Sequence, residues 1–568
     1  MEKRAILAIA LSVLVFIAFQ YFNQKRSKQQ IANKPSTATQ VQPQTKERPK
    51  ELETETRPAS MESAPVEAEI STADTNASAR TVDVETDSYH AVIDNRGAVL
   101  TKWQLKSYKS GQDSLYEMIS GEHSGANPTL PGSLIFQDPE LTRLANDQLY
   151  EVKIEGQNRT PKALTPPITV IMEFRRGGLN IIKRYTFEKD TYIIDLSIEC
   201  SRGNKGLEGR FLIGQNIGPE QEHKNNRVKL QAVYFSGGKI KRESPPDDEK
   251  EIKKIQGDVR WVGLDMQYFT MIAIPQKSLD YFDIQKRPEK FMGSDGSVTE
   301  RDLLRVTTPI EGSMNYQLYI GPKKQSDLEA VKSVDITGVI DYGMFKILVL
   351  PLLTALRWIH RYVHNYGLAI IILTFLLSIL LFPLRLKQML SMKKMQVVQP
   401  KVKAIQEKYK KYKKTDPKRA EMNQEVMKLY KEHNVNPLGG CLPLLLQFPL
   451  LFAFYSLLAN SIELRHAPFI AWIQDLSVKD PYYILPIIMG ITMFISQKMT
   501  PMTPGADPTQ TKMMMFMPVV FTIMFFNVMS GLNLYFLCSN IFGVAFQKIF
   551  ERWIGDRSPK QPAKSKRT

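Results

Sequence analysis

The 568-residue sequence predicts a multi-domain membrane protein, with six transmembrane α-helices and one large β-sandwich domain outside the bilayer. Three observations predict it. Long apolar runs without ionisable residues crowd the C-terminal third. A stretch of about 250 residues before them is built of short alternating segments separated by turn residues. The basic excess, 75 Lys and Arg against 58 Asp and Glu for a net charge of +17, concentrates in one segment between apolar runs.

Residues 1–24 contain Ala5–Phe22, AILAIALSVLVFIAFQYF. That run spans a hydrocarbon core of about 30 Å at about 1.5 Å per residue. No small-x-small cleavage site follows, so it reads as an uncleaved signal anchor. Residues 25–80 are rich in Pro, Thr, Ser, Gln and Glu and poor in large apolar side chains, which predicts a disordered tether. Residues 81–335 form the β-domain. TVDVET and AVLTKWQL flank NRG, a turn signal, and Tyr192, Ile194, Leu196 and Ile198 alternate onto one face. KLQAVYF, QYFTMIAIP and NYQLYIGP read as further strands, and 327–340 as helical or irregular.

Residues 340–364 hold an apolar run, Ile347–Leu356, that contains Pro351 and ends in Arg357, His360 and Arg361. It is too short to span and reads as an amphipathic helix lying in the interface. Residues 365–385 are the second span, with Gly367–Leu384 free of charge. Residues 386–440 form a basic helical hairpin, and 441–550 carry spans three to six: Cys441–Ser461, Tyr482–Gln497 and two within Met513–Gln547, divided by a turn at Ser530–Gly531. Residues 551–568 are a basic tail.

Charge orients the whole. Arg385–Gly440 carries fifteen Lys and Arg against five Asp and Glu, which makes it cytoplasmic by the positive-inside rule. Parity then puts both termini in the cytoplasm and the β-domain outside. Lys25, Arg26 and Lys28 after the first span oppose Lys3 and Arg4 before it, a local signal the fifteen loop charges outweigh. The hairpin reads as helices Leu386–Lys413 and Lys418–His433, the second capped by Thr415 or Asp416 with Pro417 at its first position. Its lysines suit anionic lipid headgroups or, alternatively, a ribosome or targeting factor.

The five later spans contain no Asp, Glu, Lys, Arg or His, which argues against ion-coupled transport. No phosphate-binding loop, catalytic triad or metal-ligand spacing is present, and Cys200, Cys441 and Cys538 suggest no disulfide framework. We expect no enzyme and no cofactor. Uncharged polar residues stand in the spans instead: Thr374, Ser378, Gln447, Asn527, Asn533 and Tyr535. Half of such residues serve interhelical hydrogen bonds; the others suit a wet groove. Phe448, Phe452, Met489, Met493 and Met524 offer adaptable apolar walls for a hydrophobic helix as client.

Three segments, NPLGGCLPLLLQFPLLFAFYSLL, ELRHAPFIAWIQDLSVKDPYYILPIIMGITMFISQKM and FMPVVFTIMFFNVMSGLNLYFLCSN, closely resemble the YidC family of bacterial membrane-protein insertases. GLNIIKRYTF, WVGLDMQYF and YIGPKK resemble its periplasmic domain. The resemblance is dense from Asn365 to Trp553. It implies a periplasmic β-supersandwich, a five-helix insertase core plus the N-terminal anchor, residence in the inner membrane, and a hydrophilic groove open to lipid and cytoplasm. The implied partners are nascent membrane-protein clients and the Sec translocon. Two departures stand out. The groove arginine of the family falls on Ser378 here, one turn after the matching Thr374; and Asn527 and Phe536 replace a tryptophan and a tyrosine beside the retained Tyr535. Thr374, Ser378 and Arg385 are separated by four and seven residues and so share a helical face, which makes Arg385 a candidate charge at the groove mouth. The rival readings are a lipid or ion-coupled transporter and a mutarotase-like sugar site using His90, His123 and Glu188.

Overall fold

The computed structural model describes residues 78–110, 114–120, 130–156, 163–215, 217–218, 230–249, 251–292, 298–412, 416–433, 442–499 and 508–555. The predicted anchor, the tether up to residue 77 and the tail from residue 556 lie outside them. The chain divides into two compact units. One takes in Leu384–Leu442 and Gln497–Met517, and the other Ile70–Pro383, Pro443–Ser496 and Pro518–Thr568.

The larger unit begins with a four-stranded antiparallel sheet in sequence order: β1 (Thr81–Glu85), β2 (Tyr89–Asp94), β3 (Val99–Ser110) and β4 (Ser114–Ser120). The NRG turn joins β2 to β3, with Gly97 at φ +70°. The second sheet uses β5 (Leu134–Ile135), β6 (Glu151–Glu155), β7 (Ile168–Arg176), β8 (Leu179–Phe187), β9 (Ile193–Arg202), β10 (Lys205–Gly206) and β11 (Glu208–Gly214). It continues through β12 (Gln231–Ser236), β13 (Lys239–Glu243), β14 (Ile252–Asp265), β15 (Phe269–Pro275), β16 (Leu279–Met292), β17 (Val298–Glu311) and β18 (Ser313–Pro322). Its order is β5-β11-β17-β16-β14-β15-β18-β9-β8-β7-β6, with β10 on β9 and the β12–β13 hairpin on β14.

The alternation expected after Tyr192 is present: Ile194, Leu196 and Ile198 are buried and Tyr192 packs on the same core. Aromatic stacks bind the two sheets, as Tyr116 of β4 lies 3.8 Å from Phe269 of β15. Lys183 of β8 is buried at the same interface. Its ammonium donates to the carbonyls of Gly97 (2.6 Å), Gly132 (2.7 Å) and Ala98 (3.3 Å). Helix α1 (Pro139–Asp147) had no counterpart in the sequence reading, although Asp138 caps it and Pro139 starts it.

After β18 come α2 (Gln325–Glu329), a 3-10 turn at Thr337–Val339, and α3 (Lys346–Val363). Gly343–Val363 is long and apolar enough to cross a membrane by length and composition, although its uninterrupted apolar run is shorter. Then follow α4 (Tyr366–Leu380), α5 (Phe382–Lys408), α6 (Lys418–Glu432), α7 (Leu442–Asn460), α8 (Ile484–Met499), α9 (Pro508–Phe525) and α10 (Ser530–Gly555).

Two expectations need correction. The turn between the last two spans lies at Phe526–Met529, and Ser530 and Gly531 already belong to α10. Gly531 serves close packing: an added Cβ would sit 3.2 Å from the Leu476 carbonyl. The helix carrying Thr374 and Ser378 is interrupted at Leu381, so spacing along one continuous helix no longer aligns Arg385, which stands on α5, with them. Pro383 explains the break, because it has no N–H for the carbonyl four residues before it.

Candidate functional site

The helices of the larger unit carry their polarity inside out. On α4, Leu368, Ile372, Leu376, Ile379 and Leu380 are exposed at helical spacing, while Gly367, Ile370, Thr374 and Ser378 point inward. Ile487, Ile488, Ile491 and Ile495 on α8 and Val519, Val520 and Ile523 on α9 are also exposed. At about 25 cal/mol per Å² of apolar area, such continuous exposure is unfavourable in water and neutral in hydrocarbon.

Asn365 starts α4. Its Oδ1 accepts from the Leu368 amide (3.0 Å) and its Nδ2 donates to the Phe469 carbonyl (2.9 Å). Gly367 allows the ring of Phe469 to lie where a Cβ would be, 2.0 Å away. The hydroxyl of Thr374 donates to the Ile370 carbonyl (2.6 Å) and that of Ser378 to the Thr374 carbonyl (2.7 Å). Both residues are buried, at 1% and 3% exposure. These donors are therefore spent within α4.

Helix α10 runs parallel to α4: Ile370 meets Gly531, Phe375 lies 5.3 Å from Phe542, and Phe382 lies 5.2 Å from Phe546. Tyr535, on the stretch of α10 between Gly531 and Phe542, stacks on Phe454 of α7 at 4.1 Å and receives the Gln447 amide at 3.3 Å. Asn533 donates to the carbonyls of Phe525 (3.3 Å) and Val528 (3.2 Å), closing the turn before α10. Its Oδ1 is buried with no partner among the described residues. Phe536 sets its ring edge to face with Phe525 at 5.0 Å.

Of the apolar candidates, Phe448 and Phe452 stack at 6.3 Å, and Phe452 continues onto Phe345 at 5.6 Å. Met489 is buried, and Met493 and Met524 are half-buried. Gly490, next to Met489, lets α8 approach α9 closely, since an added Cβ would lie 2.0 Å from the Thr522 hydroxyl. The structure thus joins Gln447 to Tyr535 and sets Asn533 and Phe536 around Phe525. Asn527 is exposed on the Phe526–Met529 turn that Asn533 closes.

The sequence reading missed an ordered cap at one end of these helices. Asp480, buried in the loop before α8, accepts from the Leu485 amide (2.7 Å), the Tyr482 amide (3.0 Å) and the Trp472 indole (3.0 Å). The Asp-Pro pair of KDPYY was the available signal. Ser530 bonds the Val478 carbonyl through its amide (2.7 Å) and hydroxyl (2.9 Å). Glu463 pairs with Arg357 of α3. Arg465 donates to the Lys109 carbonyl (2.9 Å) and lies over Tyr116 (5.1 Å) and Phe269 (5.4 Å) of the β-domain.

Two family models match the chain: "YidC periplasmic domain" over residues 81–355 and "60Kd inner membrane protein" over residues 358–557. The membrane protein insertase YidC of Geotalea daltonii is 36% identical over 567 residues, covering 96% of this chain and 98% of the relative. The chain belongs to the YidC family of membrane protein insertases. YidC of Syntrophus aciditrophicus is 35% identical, covering 96% and 99%, and that of Maridesulfovibrio salexigens 33%, covering 97% and 99%. A crystal structure of an active YidC insertase is 16% identical, with a TM-score of 0.35 over 82% of this chain and 92% of that one.

The YidC match divides within α3, between residues 355 and 358, so the helix belongs half to each family model. The basic hairpin falls within the second match. Helices α5 and α6 pair through a small core of Met395, Val398, Val402, Val426 and Tyr430. Lys408 and the Tyr409 hydroxyl share Glu425, both at 3.0 Å. Asp416 accepts from the Lys418 amide (2.9 Å) as the expected cap; Thr415 lies outside the described residues. Of the mutarotase-like candidates, His90 pairs with Asp83 at 3.0 Å, Glu188 is exposed beyond the end of β8, and His123 lies outside the described residues. No hydrogen bond among the described residues joins His90 to Glu188.

Proposed function

We propose that the chain takes hydrophobic segments of nascent membrane proteins into a polar groove between α4, α7, α8 and α10, releases them sideways into the inner membrane and chaperones them there, alone or with the Sec translocon. The observation that carries this is the inverted polarity of the helices. Exposed isoleucine, leucine and valine faces suit lipid, while Thr374, Ser378, Gln447, Asn533 and Tyr535 lie within. A client's polar flank needs hydrogen-bonding partners once it leaves water. These side chains supply neutral ones, with no formal charge at Ser378.

Because Thr374 and Ser378 are buried, a client reaches them only when α4 parts from its neighbours. The resting groove is shut, and engagement opens it. Six spans with both termini cytoplasmic complete the reading. The parallel course of α4 and α10 supports it, since both would run from outside to inside. So does the contact of the Glu463–Asp480 loop with the β-domain through Arg465.

Photo-crosslinkers at Ser378, Gln447 and Met493 test the groove. They should capture a stalled nascent client helix, with Ser378 reacting only in client-engaged complexes. Absence of crosslinks from a folded protein would sink the reading. Complementation with Arg385→Ala tests whether insertion needs the charge at the start of α5: wild-type insertion shows that neutral polarity suffices.

A further inference from the structure

A cleft of about 660 Å³ opens between the β12–β13 hairpin and the approach to α3. Lys239, Arg260 and Lys346 line it, with Asp335 as the one carboxylate among its lining residues. None of the three cations is in an ion pair among the described residues. Asp335 is already engaged: it accepts from the Thr337 hydroxyl (2.6 Å) and amide (2.8 Å), which hold its carboxyl below its usual range together with the charge of Lys346. The wall is aromatic. Trp261 stacks with Phe235 at 6.2 Å, and its indole N–H is buried without an acceptor among the described residues. Beside Lys346, Met344 and Ile347 are 80% and 82% exposed.

We propose that this cleft holds the headgroup of an anionic phospholipid of the outer leaflet, with the acyl chains lying along the exposed start of α3. The surplus of positive charge recognises phosphate. The apolar residues flanking Lys346 distinguish a lipid from free phosphate, which would leave them wet. The site would fix the β-domain's seat on the membrane through lipid rather than through client.

The proposal rests on α3 lying at the outer membrane surface, and a separate readout covers that. Ile347→Cys should react with a membrane-impermeant maleimide from the outside; reaction only from the cytoplasmic side overturns the outer-leaflet assignment whatever the lipid data. Binding is measured by calorimetry on the full chain in neutral detergent, titrated with short-chain phosphatidylglycerol, phosphatidylcholine, glycerol 3-phosphate and inorganic phosphate. Phosphatidylglycerol should bind about tenfold more tightly than phosphatidylcholine. The triple variant Lys239→Gln, Arg260→Gln, Lys346→Gln should lose that preference. The charge-keeping variant Lys239→Arg, Arg260→Lys, Lys346→Arg should retain it, which separates lost charge from lost folding. No preference in the wild type, or an undiminished preference in the Gln variant, overturns the proposal. Equal affinity for glycerol 3-phosphate or inorganic phosphate also overturns it, in favour of a free-anion site.

Discussion

Lys183 is a residue whose chemistry departs far from its ordinary behaviour. Burial pushes its ammonium down to about 7 from 10.5, while three carbonyls accept its protons. Between those two values the unfolded chain holds a proton that the folded one has released. Stability of the β-domain should therefore rise with pH across that window, by about 1.4 kcal/mol per pH unit, and be flat below it. Hydrogen exchange of β8 amides in the full chain, corrected for intrinsic rate, checks this. The same slope in Lys183→Met would refute the assignment. Gly490 gives a steric counterpart in the helices. Gly490→Ala forces a methyl against the Thr522 hydroxyl and should cost about 1–3 kcal/mol. Its melting temperature should fall, and Thr522→Ala should restore much of the loss.

At the scale of elements, the fastening of the segment before α3 to the β-domain is the most testable contact. Asp265 of β14 accepts from Lys323 (3.0 Å) and from Arg242 of β13 (3.0 Å), and Arg242 reaches the Val339 carbonyl (2.6 Å). Lys323 is buried, so Asp265→Ala strands its charge and should cost about 3–5 kcal/mol, with a smaller loss in Asp265→Asn. Limited proteolysis near residue 340 should accelerate in proportion. The elements that sequence makes legible are those with a buried alternating face. The strand after Tyr192 declares itself in this way, and β12, β15 and β18 as apolar runs, β15 being buried at every position. The long β16–β17 hairpin escapes notice because its far end, around QKRPEK, is charged and stabilised by backbone pairing that composition does not reveal. The MSGLN turn was misread because glycine marks both turns and close packing, and at Gly531 it is packing that operates. In the candidate site, the four-residue spacing of Thr374 and Ser378 puts them on one face of a helix, and both are buried on α4. The Gln447–Tyr535 bond joins residues 88 positions apart and was not legible, whereas the Asp480 cap is local and its Asp-Pro pair was the signal for it.

The whole larger unit is held by two apolar clusters, and the second crosses from sheet to helix. Val233, Trp261, Ile272, Ile274 and Tyr319 of the β-domain share it with Ile336, Val339, Ile340 and Tyr342, and then with α3, α4, α7 and α10. Arg465 adds a further tie from the Glu463–Asp480 loop. Arg465→Ala should expose that loop to protease while leaving the β-domain's own melting unchanged. The shared cluster also decides where the molecule tolerates cutting. A secreted fragment ending at residue 335, the limit that strand patterning suggests, would carry a bare greasy underside made of those five β-domain side chains. Such a fragment should self-associate in sedimentation experiments, while one extended through Tyr342 brings its own cover and should sediment as a single copy.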